Sequence, residues 1–291
     1  MYFDIFVSGL AVGCIYSLIA MSFSLIFRSS GVLNIGTGEF VMIGGLVGFS
    51  LITDGTQNFY LVMLCTMAIA GLVGYLSNVL VFHPVQKRGG QSIHVLIASI
   101  GIMIILPQIG SLIWGAEPLS FPSSLSAGQV QLGSAKISAI SFSIILLSLS
   151  IMILFQLFFK FTRIGQAMRA IADDRVMSQL LGVNHRKYIA LIFLVAGALT
   201  GVAGVLLGPL YYVSYDMGII GIKAFAAAVL GGFGNIMGAV IGGILLGLIE
   251  AFGGTMISSE FRDLILYAIL ILVLLIRPAG ILGIKKRRDT A

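Results

Sequence analysis

The sequence predicts an all-helical, polytopic membrane protein of about eight or nine transmembrane or re-entrant helices. These form a single domain over residues 1–291. Three observations predict this. The chain is 58% hydrophobic and 10% charged, whereas soluble globular chains run at roughly 45–50% and 25%. Uncharged runs of about twenty residues recur along it, each long enough to cross a hydrocarbon core as a helix. The basic residues gather in a few loops between those runs, as orientation-setting Lys and Arg do. The net charge of +6 is therefore not read as a nucleic-acid surface.

The elements follow in order. Residues 5–27 carry no charge. The preceding Met-Tyr-Phe-Asp lacks the basic region of a cleaved signal peptide, so this run is expected to be retained. Residues 34–53 are apolar but interrupted by Asn34, Gly36, Gly38 and Glu39. They form either a span or a broken, re-entrant element. Runs 59–82, 93–114, 137–159 and 188–213 each suffice for one crossing. Between the second and third of these, Glu117-Pro118-Leu119-Ser120-Phe121-Pro122 and the Ser- and Gly-containing residues up to Lys136 read as a turn-rich outer loop. Residues 219–253 are too long for one span and break at Gly231-Gly232-Phe233-Gly234-Asn235. The last run, 261–276, is short, and Arg262 and Arg277 reach the two interfaces by extending their side chains.

The positive-inside bias places Lys87 and Arg88, the loop 160–187 and the tail Lys285-Lys286-Arg287-Arg288 on the cytoplasmic side. An even number of crossings must separate loop from tail. Runs 188–213 and 261–276 supply two, so 219–253 either crosses twice or dips in and returns. The N-terminus is outside if 5–27 and 34–53 both cross. Glycines 197, 201, 204 and 208 recur at helical spacing and are expected to let backbones pack closely. Cys14 and Cys65 lie in apolar runs and read as small buried hydrophobes. His83, His94 and His185 have no carboxylate or cysteine at metal spacing, and no catalytic or metal-binding residues are expected.

Three stretches stand out. Within the basic island Lys160–Lys187, Asp173 and Asp174 are positioned to cap a short helix, with Gly182 in its C′ position. Met177, Leu180 and Leu181 share a face at i, i+3 and i+4. So short a helix is not stable alone. Its apolar face packs either on the protein's own helix ends or in a groove of a cytosolic ATPase. The second stretch is Asn34–Glu39. Glu39 either caps the helix starting near Phe40 or, with Asn34 and Gly38, marks a pathway position at a broken helix. The third is the break at Gly231, Gly232 and Asn235, which is expected to face the first across a translocation route. Asn34-Ile35 with Gly44-Gly45 echoes Asn235-Ile236 with Gly242-Gly243, and paired interrupted spans point to such a route. Lys223 and Glu250 flank the break and are expected at interfaces.

Four segments, in order along nearly the whole chain, carry a family resemblance. They are Gly31-Val32-Leu33-Asn34-Ile35 with Gly38-Glu39-Phe40-Val41-Met42; Gly165 through Asp174 with Leu180-Leu181-Gly182-Val183; Ala228 through Asn235 with Gly238 through Gly243; and Arg262-Asp263 with Arg277-Pro278-Ala279-Gly280-Ile281-Leu282-Gly283. In these the sequence resembles the branched-chain amino acid ABC-transporter permeases, LivH type. The resemblance implies an inner-membrane subunit of an ATP-driven importer. It also implies a second, homologous permease, two cytosolic ATPase subunits and a periplasmic substrate-binding protein as partners. The cargo would be Leu, Ile and Val or related compounds. Coupling would run through Asp173, Asp174, Met177, Leu180, Leu181 and Gly182. One departure is that other ABC importers place a glycine soon after an acidic-Ala-Ala triplet, whereas here Asp174 and Gly182 lie farther apart.

The sequence has no phosphate-binding loop, so no cofactor is expected in this chain and ATP would be used by the partner subunits. Urea or short amides are an alternative cargo on the same fold. A self-powered secondary transporter would need carboxylates within its spans, and Glu39 and Glu250 are the candidates. A membrane enzyme would need paired catalytic groups, which the sequence does not offer.

Overall fold

A computed structural model describes residues 2–56, 58–121, 129–132, 135–256 and 261–283, without the side chains of residues 129–137 and of Arg175. The basic tail 285–288 lies outside the described residues. Helix α1, Tyr2–Ser30, is followed by a 3-10 turn, Ile35–Gly38, that leads into α2, Glu39–Thr53. Helix α3, Phe59–Ser77, continues through a π-turn, Asn78–Phe82, into α4, His83–Lys87. Then come α5 (Ser92–Trp114), α6 (Ala139–Phe161), the short α7 (Arg163–Asp173) and α8 (Arg175–Leu180), and α9 (His185–Leu207). Helices α10 (Ile219–Gly231), α11 (Ile236–Met256) and α12 (Arg262–Ile276) complete the order. Among the described residues, seven helices, taking Ile35–Thr53 and Phe59–Lys87 as single spans, are long and apolar enough to cross a membrane; α10 is shorter.

The outer loop expected between α5 and α6 contains a two-stranded antiparallel hairpin, β1 Gln129–Leu132 with β2 Ala135–Ser138. Run 188–213 is helical only to Leu207, and the chain beyond is extended enough for Val213 to pair with Leu119 through two backbone hydrogen bonds of 2.8 and 2.7 Å. The long run 219–253 resolves into α10 and α11, joined by the tight turn at the glycine break. The parity derived from the basic loops is thus met by two antiparallel elements.

The helices run between two ends. One, the basic end, holds α4 with Lys87, α7, α8 and the α10–α11 turn; the other holds the hairpin, the α2–α3 connection and the start of α12. Helices α1 and α9 form the centre, buried over 89% and 78% of their most apolar stretch, whereas α5 is buried over 17%. That contrast places α5 on the outer rim of the bundle.

Small residues make the centre possible. A Cβ on Gly247 of α11 would strike the backbone of Gly13 on α1, and one on Gly243 would strike Ser17. The two helices cross through Gly9 and Gly13 on one side and Gly243 and Gly247 on the other, both at four-residue spacing. Ser17 donates across this crossing to the Val240 carbonyl at 2.8 Å, and Ser22 donates to the Ala196 carbonyl of α9 at 3.1 Å. On α9, Gly197 meets Ala70 and Gly71 of α3, while Gly204 meets Val41 and Gly45 of α2. The regular glycine spacing on α9 is therefore a packing device, as expected, but it serves two partner helices.

Candidate functional site

Three places hold the residues singled out by the sequence. The first is the start of α2. Glu39 is the first residue of α2, 14 positions before Thr53, so about 21 Å of helix lies between it and that end. Helix α10 begins beside it, because Gly38 and Gly221 are in backbone contact and any Cβ at Gly218 would overlap the Glu39 carboxylate. From there α10 runs 13 residues to the basic end, about 20 Å. Glu39 thus lies about midway between the two ends, where α2 and α10 both start. It does not cap α2 through its side chain. Its carboxyl group instead packs on the N-terminus of α10, so two helix dipoles point their positive ends at one buried acidic group.

Asn34 and Glu39 are almost wholly buried, and among the described residues both amide atoms of Asn34 and Oε2 of Glu39 lack hydrogen-bond partners. Ser99 of α5 accepts from the Ile35 amide at 3.2 Å and holds the turn in place. Replacing Glu39 by Gln keeps the shape and an acceptor at the start of α10. The Glu39→Gln protein should insert normally and retain uptake, with a melting temperature within a few degrees of wild type. Gly218→Val, which displaces the carboxylate, should abolish uptake. Loss of uptake in Glu39→Gln at wild-type membrane levels would show that the charge itself takes part.

The second place is the Gly231–Asn235 turn, and it does not face the first. It lies at the opposite end of α10 and packs against the segment after α12. The Ile281 and Leu282 amides donate to the carbonyls of Leu230 and Gly231, both at 2.9 Å. They satisfy acceptors that the end of α10 leaves open. Asn235 Oδ1 accepts from the amides of Met237 and Gly238 at 3.1 and 3.2 Å, capping α11, and its Nδ2 donates to the Leu282 carbonyl at 2.9 Å. Phe233 stacks on Phe27 at 4.4 Å and meets Phe225 edge-on at 5.3 Å. With its polar groups paired and its backbone covered, the turn is a clamp between α10, α11 and the C-terminal segment. The two asparagines of the internal echo therefore do different work, since Asn34 caps nothing with its side chain.

The third place is the basic island. Its first part is a separate helix, α7, capped by Thr162, whose Oγ1 accepts from the Gly165 amide at 3.0 Å. Asp173 does not join the cap of the next helix. It ends α7 and pairs with Arg28 at the end of α1 at 2.9 Å. Asp174 alone caps α8, its Oδ1 accepting from Val176 and Met177, both at 2.9 Å. Gly182 follows with φ +82°, the left-handed conformation expected of a C′ glycine. Leu180 and Leu181 are 77% and 75% exposed and Met177 54%. The apolar face does not pack on the protein's own helix ends.

The geometry also brings together a cluster whose members are expected mainly at interfaces. Glu250 of α11 is 3% exposed. Its Oε1 accepts from Lys223 Nζ of α10 at 3.0 Å and lies 3.0 Å from Arg262 Nε of α12, an ion pair without hydrogen-bond alignment. Lys223 also reaches Asp263 at 2.5 Å, and Arg262 Nη2 approaches the Tyr211 hydroxyl at 3.4 Å. The sequence signal for this cluster was present, since Lys223 and Glu250 are charges deep within apolar runs. What it lacked was the neighbourhood of α10, α11 and α12, which only the hairpin at the glycine break creates.

The profile of the family described as the branched-chain amino acid transport system, permease component, matches residues 5–274. The chain belongs to this permease family. It is 38% identical to the high-affinity branched-chain amino acid transport system permease protein BraD of Pseudomonas aeruginosa, over 97% of this chain and 96% of that one. It is 37% identical to the corresponding LivH of Escherichia coli K12, over 95% and 94%. A probable LivH of Methanocaldococcus jannaschii is 30% identical over 92% and 88%. No solved structure matches the chain. In this permease the family profile spans α1 through most of α12, so all three places above fall within it.

Proposed function

We propose that this permease carries branched-chain amino acids inward through a bacterial inner membrane, as one transmembrane subunit of an ATP-driven importer. The observation that carries the reading is the capped α8 with its uncovered leucine pair, on a chain 37–38% identical over nearly its full length to permeases named for that cargo. An amphipathic knob on the basic end fits the groove of a cytosolic ATPase. Two ATPase subunits, a second permease and a binding protein on the far side complete the assembly.

Two contacts support a route for the push. Asp173, next to α8, holds Arg28 at the end of α1. Ser178 of α8 is hydrogen-bonded to His185 at the start of α9, at 2.8 Å. Helices α1 and α9 are the two most buried, so displacing α8 acts directly on the centre of the bundle. There it biases inward- against outward-open packings. The unpaired Asn34 and Glu39 atoms at mid-depth are the groups we assign to the pathway, with Gly38 giving the close approach.

The experiment is uptake of labelled leucine into liposomes holding the permease pair and its ATPases, with binding protein outside. Uptake should require ATP within. Uptake in vesicles without the ATPase, driven by an ion gradient, would replace this reading with that of a secondary transporter. Sidedness has its own check, in a background lacking Cys14 and Cys65. Gln179→Cys on α8 should resist impermeant thiol reagents in intact cells, while Thr255→Cys at the end of α11 should react. The reverse pattern would invert the topology.

A further inference from the structure

The cluster around Glu250 opens into a cavity of about 360 Å³, within the size range of small-molecule sites, ~300–1,000 Å³. Buried Glu250, Val12 and Ser141 form the floor, and exposed Ser8, Tyr211 and Thr255 form the rim. Arg262 closes one side, and Leu210 and Ala251 supply apolar wall. Ser8, Thr255 and Arg262 lie near the ends of their helices away from α8, so the mouth is on the face opposite the ATPase-docking end.

Its electrostatics favour a ligand of zero net charge. Lys223, Arg262, Glu250 and Asp263 sum to zero charge. A lone cation or anion added here would leave a net charge in a poorly solvated place, which is costly. A net-neutral molecule with separated charges adds none. Among the described residues, two groups are left to receive it: the buried Glu250 carboxylate, whose Oε2 has no hydrogen-bond partner there, and the outer edge of the Arg262 guanidinium, which makes a long contact to Tyr211. The buried hydroxyl of Tyr16 lies close to the same carboxylate.

We propose that this cavity binds a zwitterionic aliphatic amino acid. The Glu250 carboxylate receives the ammonium group, the Arg262 guanidinium holds the carboxylate, and Val12, Leu210 and Ala251 meet the side chain. The proposal rests on the amino-acid reading of the permease and gives it a first site on the entry side. Lys223 is a positioning residue. It holds Oε1 of Glu250 at 3.0 Å and so fixes the carboxylate at the cavity floor.

The test is binding of tritiated leucine to the full-length chain in nanodiscs, read by scintillation proximity. Two analogues serve as competitors, leucinamide lacking the carboxylate and 4-methylpentanoate lacking the ammonium. Both should compete at least tenfold more weakly than leucine. Glu250→Gln should weaken leucine at least tenfold and narrow its advantage over 4-methylpentanoate, a change of selectivity that a mere structural staple would not produce. If Glu250→Gln fails to fold, the three-ligand comparison on the wild type decides. The site is overturned by absence of saturable leucine binding, by equal competition from either analogue, or by unchanged binding in a folded Glu250→Gln. The uptake experiment fails separately. ATP-driven leucine uptake without binding here sinks the site and leaves the permease reading, whereas binding here with no ATP-driven uptake does the reverse.

Discussion

Replacing Leu180 and Leu181 together with Asp is expected to separate the permease from its ATPase and to abolish uptake, while the protein still inserts. Both side chains stand three-quarters exposed on α8 beside exposed Met177 and Val176. Burying a leucine contributes roughly 1.5–3 kcal/mol, so forfeiting two costs several kcal/mol of association. That corresponds to a loss of about a hundredfold or more in affinity. The change lies outside every span and leaves the Asp174 cap and the Arg28–Asp173 pair intact. The measurement is copurification of the ATPase on the tagged permease, together with uptake in the same cells. Persistent uptake by the double variant would remove the coupling role of α8, and with it the strongest support for an ATP-driven machine.

Gly232→Leu is expected to have the next largest effect, through stability rather than through a blocked route. Gly232 has φ +114°, a conformation costing about 1–3 kcal/mol for other residues. A Cβ there would also lie 2.6 Å from the Gly283 amide nitrogen and 2.9 Å from its Cα. Overpacking of this kind adds about 1–3 kcal/mol. The neighbours are backbone and cannot rotate away, so the 280–283 segment must leave and expose the carbonyls of Leu230 and Gly231. The variant should melt at a lower temperature, become sensitive to protease after α12, and lose uptake. Normal uptake with unchanged melting would mean that the clamp is dispensable.

Much of the architecture was legible in the chain. Span 93–114 was read to within a residue of α5, and run 59–82 to its first residue, although the helix continues five residues further to Lys87, because an apolar run between charged loops has one stable answer in a bilayer. The capped α8 was legible as well, since capping and i, i+3, i+4 spacing are local. The break at 231–235 was visible, but its partner was not. It meets residues 280–283, nearly fifty positions later, rather than 34–39. Glu39, open in the sequence to either a capping or a pathway role, packs on α10, and the role given to Asp173 in a cap passed to an ion pair with Arg28.

The sequence by itself determined the order of the apolar runs, the basic loop that carries the capped helix α8, and the glycines that let helices touch. Each of these depends on composition or on contacts within a turn or two. The tertiary structure alone decided which broken elements meet and which charges share a site. Lys223, Glu250 and Arg262 sit on three helices, and a periodicity records which face of a helix is special without recording what that face will meet. In an apolar medium the choice of neighbours is made by the fit of small residues and by the need to pair each buried polar group. Both are properties of two surfaces together, and neither segment carries them alone.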